Sequence, residues 1–309
     1  MLVLLIRRLI SAVPSFFLII AAAFFLMKAA PGGPFTRERQ MPPEIEHRLL
    51  AKFNLDLPVQ EQLVNYVGAL LRGDLGPSMT YKDKTVVDII AEGAPTSALL
   101  GVSAMTLALL FGAGLGVFAA LKQNRAQDHL VMGLAVLGVC LPPLVMGPLL
   151  QRFFGIDLRW LPTAGLYHDE FGVRYLLLPV LTLALPHIAI ISRLMRASMI
   201  EALRSNAIRT ARAKGLPERQ VIWRHALPVA ILPIVSHVGP ALAGVLAGSF
   251  VVETVFQLPG IGKQFVTAAL QRDYTVVMGV VIVYASLVIL LNLAADMTRR
   301  VLDPRTRPV

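Results

Sequence analysis

Apolar residues in this chain gather in long blocks, not in the alternation of strands or the single stripe of a surface helix. A bilayer core of about 30 Å takes roughly 20 residues of helix to cross. Six blocks fit that length or approach it: 9–29, 97–121, 130–154, 176–191, 229–252 and 276–295. The pattern predicts an all-α integral membrane protein with six transmembrane helices. Between the first two blocks lies a stretch, 31–95, with amphipathic pieces. Pro42 and Pro43 precede a short helix over 44–52, with proline in its first turn. Residues 59, 63, 66, 67, 70 and 71 form a helical apolar stripe that Gly73 ends. Thr85-Val-Val-Asp88 reads as a capping box that opens a further short helix. The stretch is therefore folded, as a cap over the mouth of a pathway or as a connector packed on the membrane face.

Inside the blocks, small residues and prolines carry the remaining information. Gly112 and Gly116 in the second span, and Gly244 and Gly248 in the fifth, have the GxxxG spacing that lets helix backbones approach closely. Pro142, Pro143, Pro148, Pro179, Pro186, Pro233 and Pro240 fall in spans three to five. Each removes a backbone donor and can kink its helix. In lipid the freed carbonyls need protein or water partners, so these three spans are expected to form the core. No internal repeat stands out.

The segment 192–228 is polar yet helical in pattern. Ser205 suits the N-cap of a helix over 206–214, and Gly215 suits the position just past its end. Pro217 then opens a second short helix with Glu218 in its first turn. The small residues Ala207, Ala211 and Ala213 stand among Arg209, Arg212 and Lys214. Such a face suits docking into an acid-rimmed groove of another protein. It equally suits a solvated basic loop, and periodicity alone leaves both open.

Composition narrows the class. Of 309 residues, 56% are hydrophobic and 16% charged, too apolar a balance for a soluble domain. A formal charge of +10 raises the question of nucleic acid, but the basic residues sort by topology. With the N-terminus inside, the inner segments hold sixteen Lys and Arg, eight of them between Ser192 and Leu227. The short outer loops hold Arg159, Arg174, Lys263 and Arg272. This asymmetry predicts cytoplasmic N- and C-termini, and it removes the case for nucleic acid. Arg7 and Arg8 would suit the start of a signal peptide. The apolar run is too long for one, and Pro31-Gly32-Gly33-Pro34 follows where an Ala-x-Ala site would stand, so the first block is read as a true span. Cys140 is the only cysteine, which excludes an intrachain disulfide; it is expected to be a small buried hydrophobe.

The run Ile208-Arg-Thr-Ala-Arg-Ala-Lys-Gly-Leu-Pro217, followed by Arg224-His-Ala-Leu-Pro228, resembles the EAA loop of binding-protein-dependent ABC importer permeases. That pattern is Glu-Ala-Ala, three residues, Gly, nine residues, then Ile-x-Leu-Pro. Anchored on Gly215, it falls on Arg209, Thr210, Ala211, Gly215, His225, Leu227 and Pro228. The departures, Arg209 and Thr210 for Glu-Ala and His225 for Ile, resemble the peptide and nickel branch. Arg7-Arg8 with Ala30-Pro31-Gly32, Leu71-Arg72-Gly73-Asp74-Leu75-Gly76, Phe256-Gln-Leu-Pro-Gly-Ile-Gly262 and Arg272-Asp273-Tyr274 extend the resemblance along nearly the whole chain. Ala120-Leu-Lys-Gln-Asn124 and Ser198-Met-Ile-Glu201 look most similar to the B-type subunits of oligopeptide permeases.

The resemblance implies a type I importer architecture: an N-terminal helix with its outer segment over 1–93, and the permease domain over 94–303. It implies partners as well: a second homologous permease, two ATPase subunits that bind ATP and magnesium, and a periplasmic peptide-binding protein. Ile208, Arg209, Thr210, Ala211, Arg212, Ala213, Lys214, Gly215, His225, Leu227 and Pro228 would form the loop that meets the ATPase. The substrate implied is an oligopeptide, with dipeptide, glutathione or nickel as the alternatives within the branch.

No chemistry of catalysis stands against this. Gln257-Leu-Pro-Gly-Ile-Gly-Lys263-Gln264 falls short of a phosphate loop, which needs glycine at 257 and Ser or Thr at 264. The six histidines lack metal-ligand spacing, and neither His-Glu-x-x-His nor Gly-x-Ser-x-Gly occurs. His187 and His237 fall near mid-membrane, where ionisable groups face protein or water. They read as pathway contacts or as interhelical hydrogen bonds. Glu253, at the outer end of span five, would meet a peptide amine or sit among headgroups. Asn292 and Asp296 suit packing and the inner boundary. A secondary transporter or channel would call for more intramembrane carboxylates, and an intramembrane enzyme for a nucleophile–base or metal pair.

Overall fold

The computed structural model describes residues 2–29, 33, 43–165 and 173–302. Pro31, Gly32, Pro34, Arg305 and Arg307 lie outside the described residues, as do the side chains of Arg7, Arg8, Arg299 and Arg300. Among the described residues every regular element is helical, and the only β feature is an isolated bridge between Pro77 and Thr85. The helices are α1 (Leu2–Ala29), α2 (Pro43–Lys52), α3 (Val59–Leu71), α4 (Val86–Leu121), α5 (Ala126–Cys140) and α6 (Pro143–Leu150). They continue with α7 (Arg174–Leu203), α8 (Asn206–Ala213), α9 (Glu218–Gln220), α10 (Leu227–Ala230), α11 (Leu232–Val255), α12 (Ile261–Gln271) and α13 (Tyr274–Leu302). Two π-helical stretches, Gln151–Asp157 and Val221–Ala226, extend α6 and join α9 to α10. Among the described residues, four helices are long and apolar enough to cross a membrane, or up to six if each of two bent pairs is one span.

Four predicted elements differ from those observed. The apolar block predicted as the third span is not one rod: its two halves meet at 106°. Pro142 and Pro143 stand together there, and a residue before proline is driven out of the helical region; Leu141 accordingly has ψ 110. The helix opened by the Thr85 box does not stop before span two. It runs on through Pro95 as the 36-residue α4. The helix of the fourth apolar block does not end near Ile191, because α7 stays helical to Leu203. Arg193, Arg196 and Arg204 end the apolar run, but arginine is a good helix former, so charge marks where lipid ends and not where the helix does. Span five is preceded by α10 and bent by 45° where Ile231 separates α10 from α11. The amphipathic α12 had no counterpart in the sequence reading. Cys140 is exposed on the surface of the single chain, not buried.

The chain divides into two compact units. One comprises residues 1–95 and 259–287. In it Ile20 and Phe24 of α1, Met278 and Ile282 of α13, and Leu63, Tyr66 and Leu70 of α3 form an apolar cluster. The predicted stripe of α3 thus supplies its packing face. Asp273 ties this unit together: its carboxylate accepts hydrogen bonds from the Ser78 hydroxyl and the Thr80 N–H. It also caps α13 by accepting the Val276 N–H at 3.2 Å. The Thr85 box is formed as predicted, with Thr85 N–H donating to Asp88 and Asp88 N–H donating to the Thr85 hydroxyl. Gly93 permits the start of α12 to pass against α4, since a Cβ there would lie 2.7 Å from the Ile261 nitrogen.

The second unit comprises residues 96–258 and 288–309, and α7 is its axis. A Cβ on Gly112 would lie 2.9 Å from Ile191 Cβ, and one on Gly116 would lie 2.6 Å from the Ser192 carbonyl oxygen. Both glycines of α4 therefore bring its backbone onto α7, as close-packed membrane helices require. Gly138 of α5 does the same beside Ala189 and Leu185, and Gly244 of α11 beside His187. The core around this axis includes Leu100, Leu178, Leu183, Ile191, Met195 and Met199, all buried. Asn292 of α13 packs against Gly239 of α11, in keeping with a packing role.

Candidate functional site

The segment from Ser205 to Ala230 is a helical elbow that leaves the end of α7 and returns into α11. Its first element, α8, is seated by two side chains. Ile208 is 1% and Ala211 6% exposed, and both belong to the apolar cluster that also holds Met199, Ala202, Val221 and Ala226. With Ile208 and Ala211 turned inward, Ala207, Arg209, Thr210, Arg212, Ala213 and Lys214 are left exposed. Helical geometry thus divides the motif into an anchoring face and a presented face that is basic and otherwise small.

The two ends of α8 are closed differently. Ser205 occupies the N-cap position with extended backbone, but its hydroxyl makes no capping bond, so half of the predicted cap is present. The C-terminal half is complete. Gly215 has φ +77, its N–H donates to Arg212 O at 2.9 Å, and Leu216 N–H donates to Ala211 O at 3.3 Å. This is the paired closure of a Schellman motif, which needs a left-handed residue just past the helix. The Arg212 guanidinium then bonds both Glu218 oxygens, at 2.6 and 3.2 Å, across the Pro217 turn. The Glu218 carboxylate raises the Arg212 pKa above its ordinary value.

Beyond the turn, Val221 and Ala226 face inward while Trp223, Arg224 and His225 are exposed. Leu227 is half-buried, Pro228 exposed, and Pro217, Arg219, Gln220, Trp223 and Arg224 line a shallow depression. Of the predicted elbow residues, Ile208 and Ala211 are buried, Leu227 is half-buried and the others are exposed. Trp223, 60% exposed among arginines, was missing from the sequence reading. A lone tryptophan beside an apolar span gives no signal of which way it points.

His187, His237 and Glu253 lie elsewhere. His187 of α7 lies beside Gly244 of α11, the helix that also carries His237. His187 Nδ1 and His237 Nε2 are buried without a hydrogen-bond partner among the described residues. Glu253 is wholly buried and accepts a 2.7 Å hydrogen bond from the Ser97 hydroxyl of α4. The sequence reading also missed a buried ion pair at the base of the elbow. Arg196 of α7 donates through Nε and a terminal nitrogen to both oxygens of Asp128 on α5, at 2.5 and 2.6 Å.

Comparison with known proteins adds an independent line. The family model described as "Binding-protein-dependent transport system inner membrane component" matches residues 112–308. The oligopeptide transport system permease protein OppB of Salmonella typhimurium is 47% identical over 307 residues, covering 99% of this chain and 100% of that protein. OppB of Haemophilus influenzae is 44% identical over 301 residues, 97% of this chain and 98% of that one. The dipeptide transport system permease protein DppB of Bacillus subtilis is 37% identical over 302 residues, 98% and 97% respectively. A solved amino acid ABC transporter, crystallised with histidines, matches in fold with TM-score 0.51 at 17% identity, covering 71% of this chain and 94% of that chain.

Proposed function

The chain belongs to the binding-protein-dependent transport system inner membrane components, the permease subunits of ABC importers, and on that premise we propose that it forms half of an oligopeptide pathway. The end-to-end likeness to relatives named as oligopeptide transport permeases carries this reading. Dipeptide permeases also match along nearly the full chain, at lower identity, so dipeptides are the second substrate class.

In this account the protein crosses the inner membrane six times, each bent pair of helices serving as one span, with both termini in the cytoplasm. It pairs with a second, homologous permease, and a periplasmic peptide-binding protein delivers the substrate. Two ATPase subunits bind ATP and magnesium; this chain supplies the surface that meets them and no nucleotide site of its own. The basic face of α8, with Arg209, Thr210, Ala213 and Lys214, docks on one ATPase. Ile208 and Ala211 fasten α8 to the core around α7, so a displacement of the ATPase reaches the membrane helices instead of being absorbed by a loose loop. ATP shifts the pathway between inward- and outward-facing states through its different affinity for the two, which is the only way a ligand moves such an equilibrium.

Within the pathway, His187 and His237 are the polar groups available to bond a peptide backbone in passage. Glu253, bonded by Ser97, serves to fasten α11 to α4. The test is uptake by the reconstituted complex. ATP-dependent uptake of peptides several residues long supports the reading. Preference for dipeptides moves the chain to the second class, and uptake by the purified chain alone refutes the importer reading altogether.

A further inference from the structure

We propose that Asp128 and Arg196 are positioning residues that lock α5 to α7, so that movement of the elbow reaches the broken third span. This rests on the coupling role of α8 proposed above.

The pair is built with unusual completeness. Asp128 is fully buried, and the Arg196 side chain is only a quarter exposed. Burying two charges is costly unless geometry is good and the remaining lone pairs are satisfied. Here both carboxylate oxygens are met by the arginine fork, and the second also accepts the Asn124 N–H at 2.9 Å. That N–H is aimed at the carboxylate by a tight turn in which Asn124 has φ +61. Arg204, at the end of α7, reaches Gln123 of the same turn at 3.4 Å.

The position of the pair gives it meaning beyond stability. Arg196 lies two turns before the end of α7, which leads directly into α8. Asp128 lies in the first turn of α5. About 15 Å along α5, at 1.5 Å per residue, Gly138 seats the same helix against Ala189 and Leu185 of α7. Fixed at both ends, α5 must follow α7. Just past Gly138 the chain breaks at Leu141–Pro142 into α6, which packs at Gly147 against Val255 and Phe256. Gln151, following α6, donates to the Val255 and Thr163 carbonyls. The pair thus starts a rigid route from the elbow to the far end of α11. A packing contact alone would not need a buried charge pair; a joint that must transmit force without slipping profits from a directional one.

The test uses the whole complex in proteoliposomes, with Asp128→Asn and Arg196→Lys. The second keeps the charge and loses the fork. Three quantities are read: assembled complex, ATP hydrolysis and peptide transported per ATP. The proposal expects assembly and hydrolysis within about twofold of the parent, while transport per ATP falls at least tenfold, with Asp128→Glu recovering part of it. Transport per ATP unchanged, or both variants failing to assemble, makes the pair a structural staple and overturns the proposal. If the parent complex transports without ATP, the underlying coupling reading fails instead.

Discussion

Gly112 and Gly116 show how much a missing side chain can decide. Their spacing was legible in the sequence, but their partner was not, because nothing in a GxxxG pair says which helix it meets. The answer is α7, where a Cβ on Gly116 would fall 2.5 Å from that of Met195. Backbone lies as close, so rotamer changes cannot relieve the clash. Gly116→Leu should therefore cost about 1–3 kcal/mol or more by overpacking, read as a lower unfolding temperature of the purified complex; Gly114→Leu, whose Cβ would meet nothing within 4 Å, should leave it unchanged. Gly215 was legible for a different reason, since the end of a predicted helix calls for a left-handed residue. Its φ of +77 makes Gly215→Val strained by about 1–2 kcal/mol, and ATPase activity in the assembled complex should fall while membrane insertion persists. Asp128 and Arg196 were illegible, being 68 positions apart with no periodic relation.

At the scale of the element, hydropathy located the apolar blocks and misjudged how helices continue or break. It reports where a chain is immersed in lipid. It does not report that α7 carries its helix on to Leu203, or that the chain turns by 106° at Pro142 and Pro143 within the third apolar block. The elbow fared better, because its signals are local: a proline, a left-handed glycine and small residues at helical spacing. The pattern put Ala211 on the docking face with Ala207 and Ala213; the structure turns it inward with Ile208 and leaves Arg209, Thr210, Ala213 and Lys214 presented. Ile208→Ala should unseat α8, at a cost of about 2–5 kcal/mol for a buried aliphatic truncation. In the assembled complex this should appear as peptide-stimulated ATP hydrolysis reduced severalfold, while Arg209→Lys, which keeps the charge on the presented face, should reduce it far less.

For the whole molecule, net charge taken alone suggested nucleic acid, and its distribution along the chain pointed to topology instead. The family follows from the match over residues 112–308 and from relatives aligned from end to end. The central claim is that the elbow stands on the cytoplasmic side and relays the work of an ATPase to the membrane helices. The direct measurement starts from Cys140→Ser, because the native cysteine is itself exposed. A single Ala213→Cys is then introduced on the presented face. In intact cells this thiol should resist a membrane-impermeant reagent, and in inverted vesicles stripped of the ATPase subunits it should react. A bifunctional crosslinker should join it to an ATPase subunit, with a yield that changes when ATP is added. Labelling of Ala213→Cys from the outside of intact cells would contradict the account.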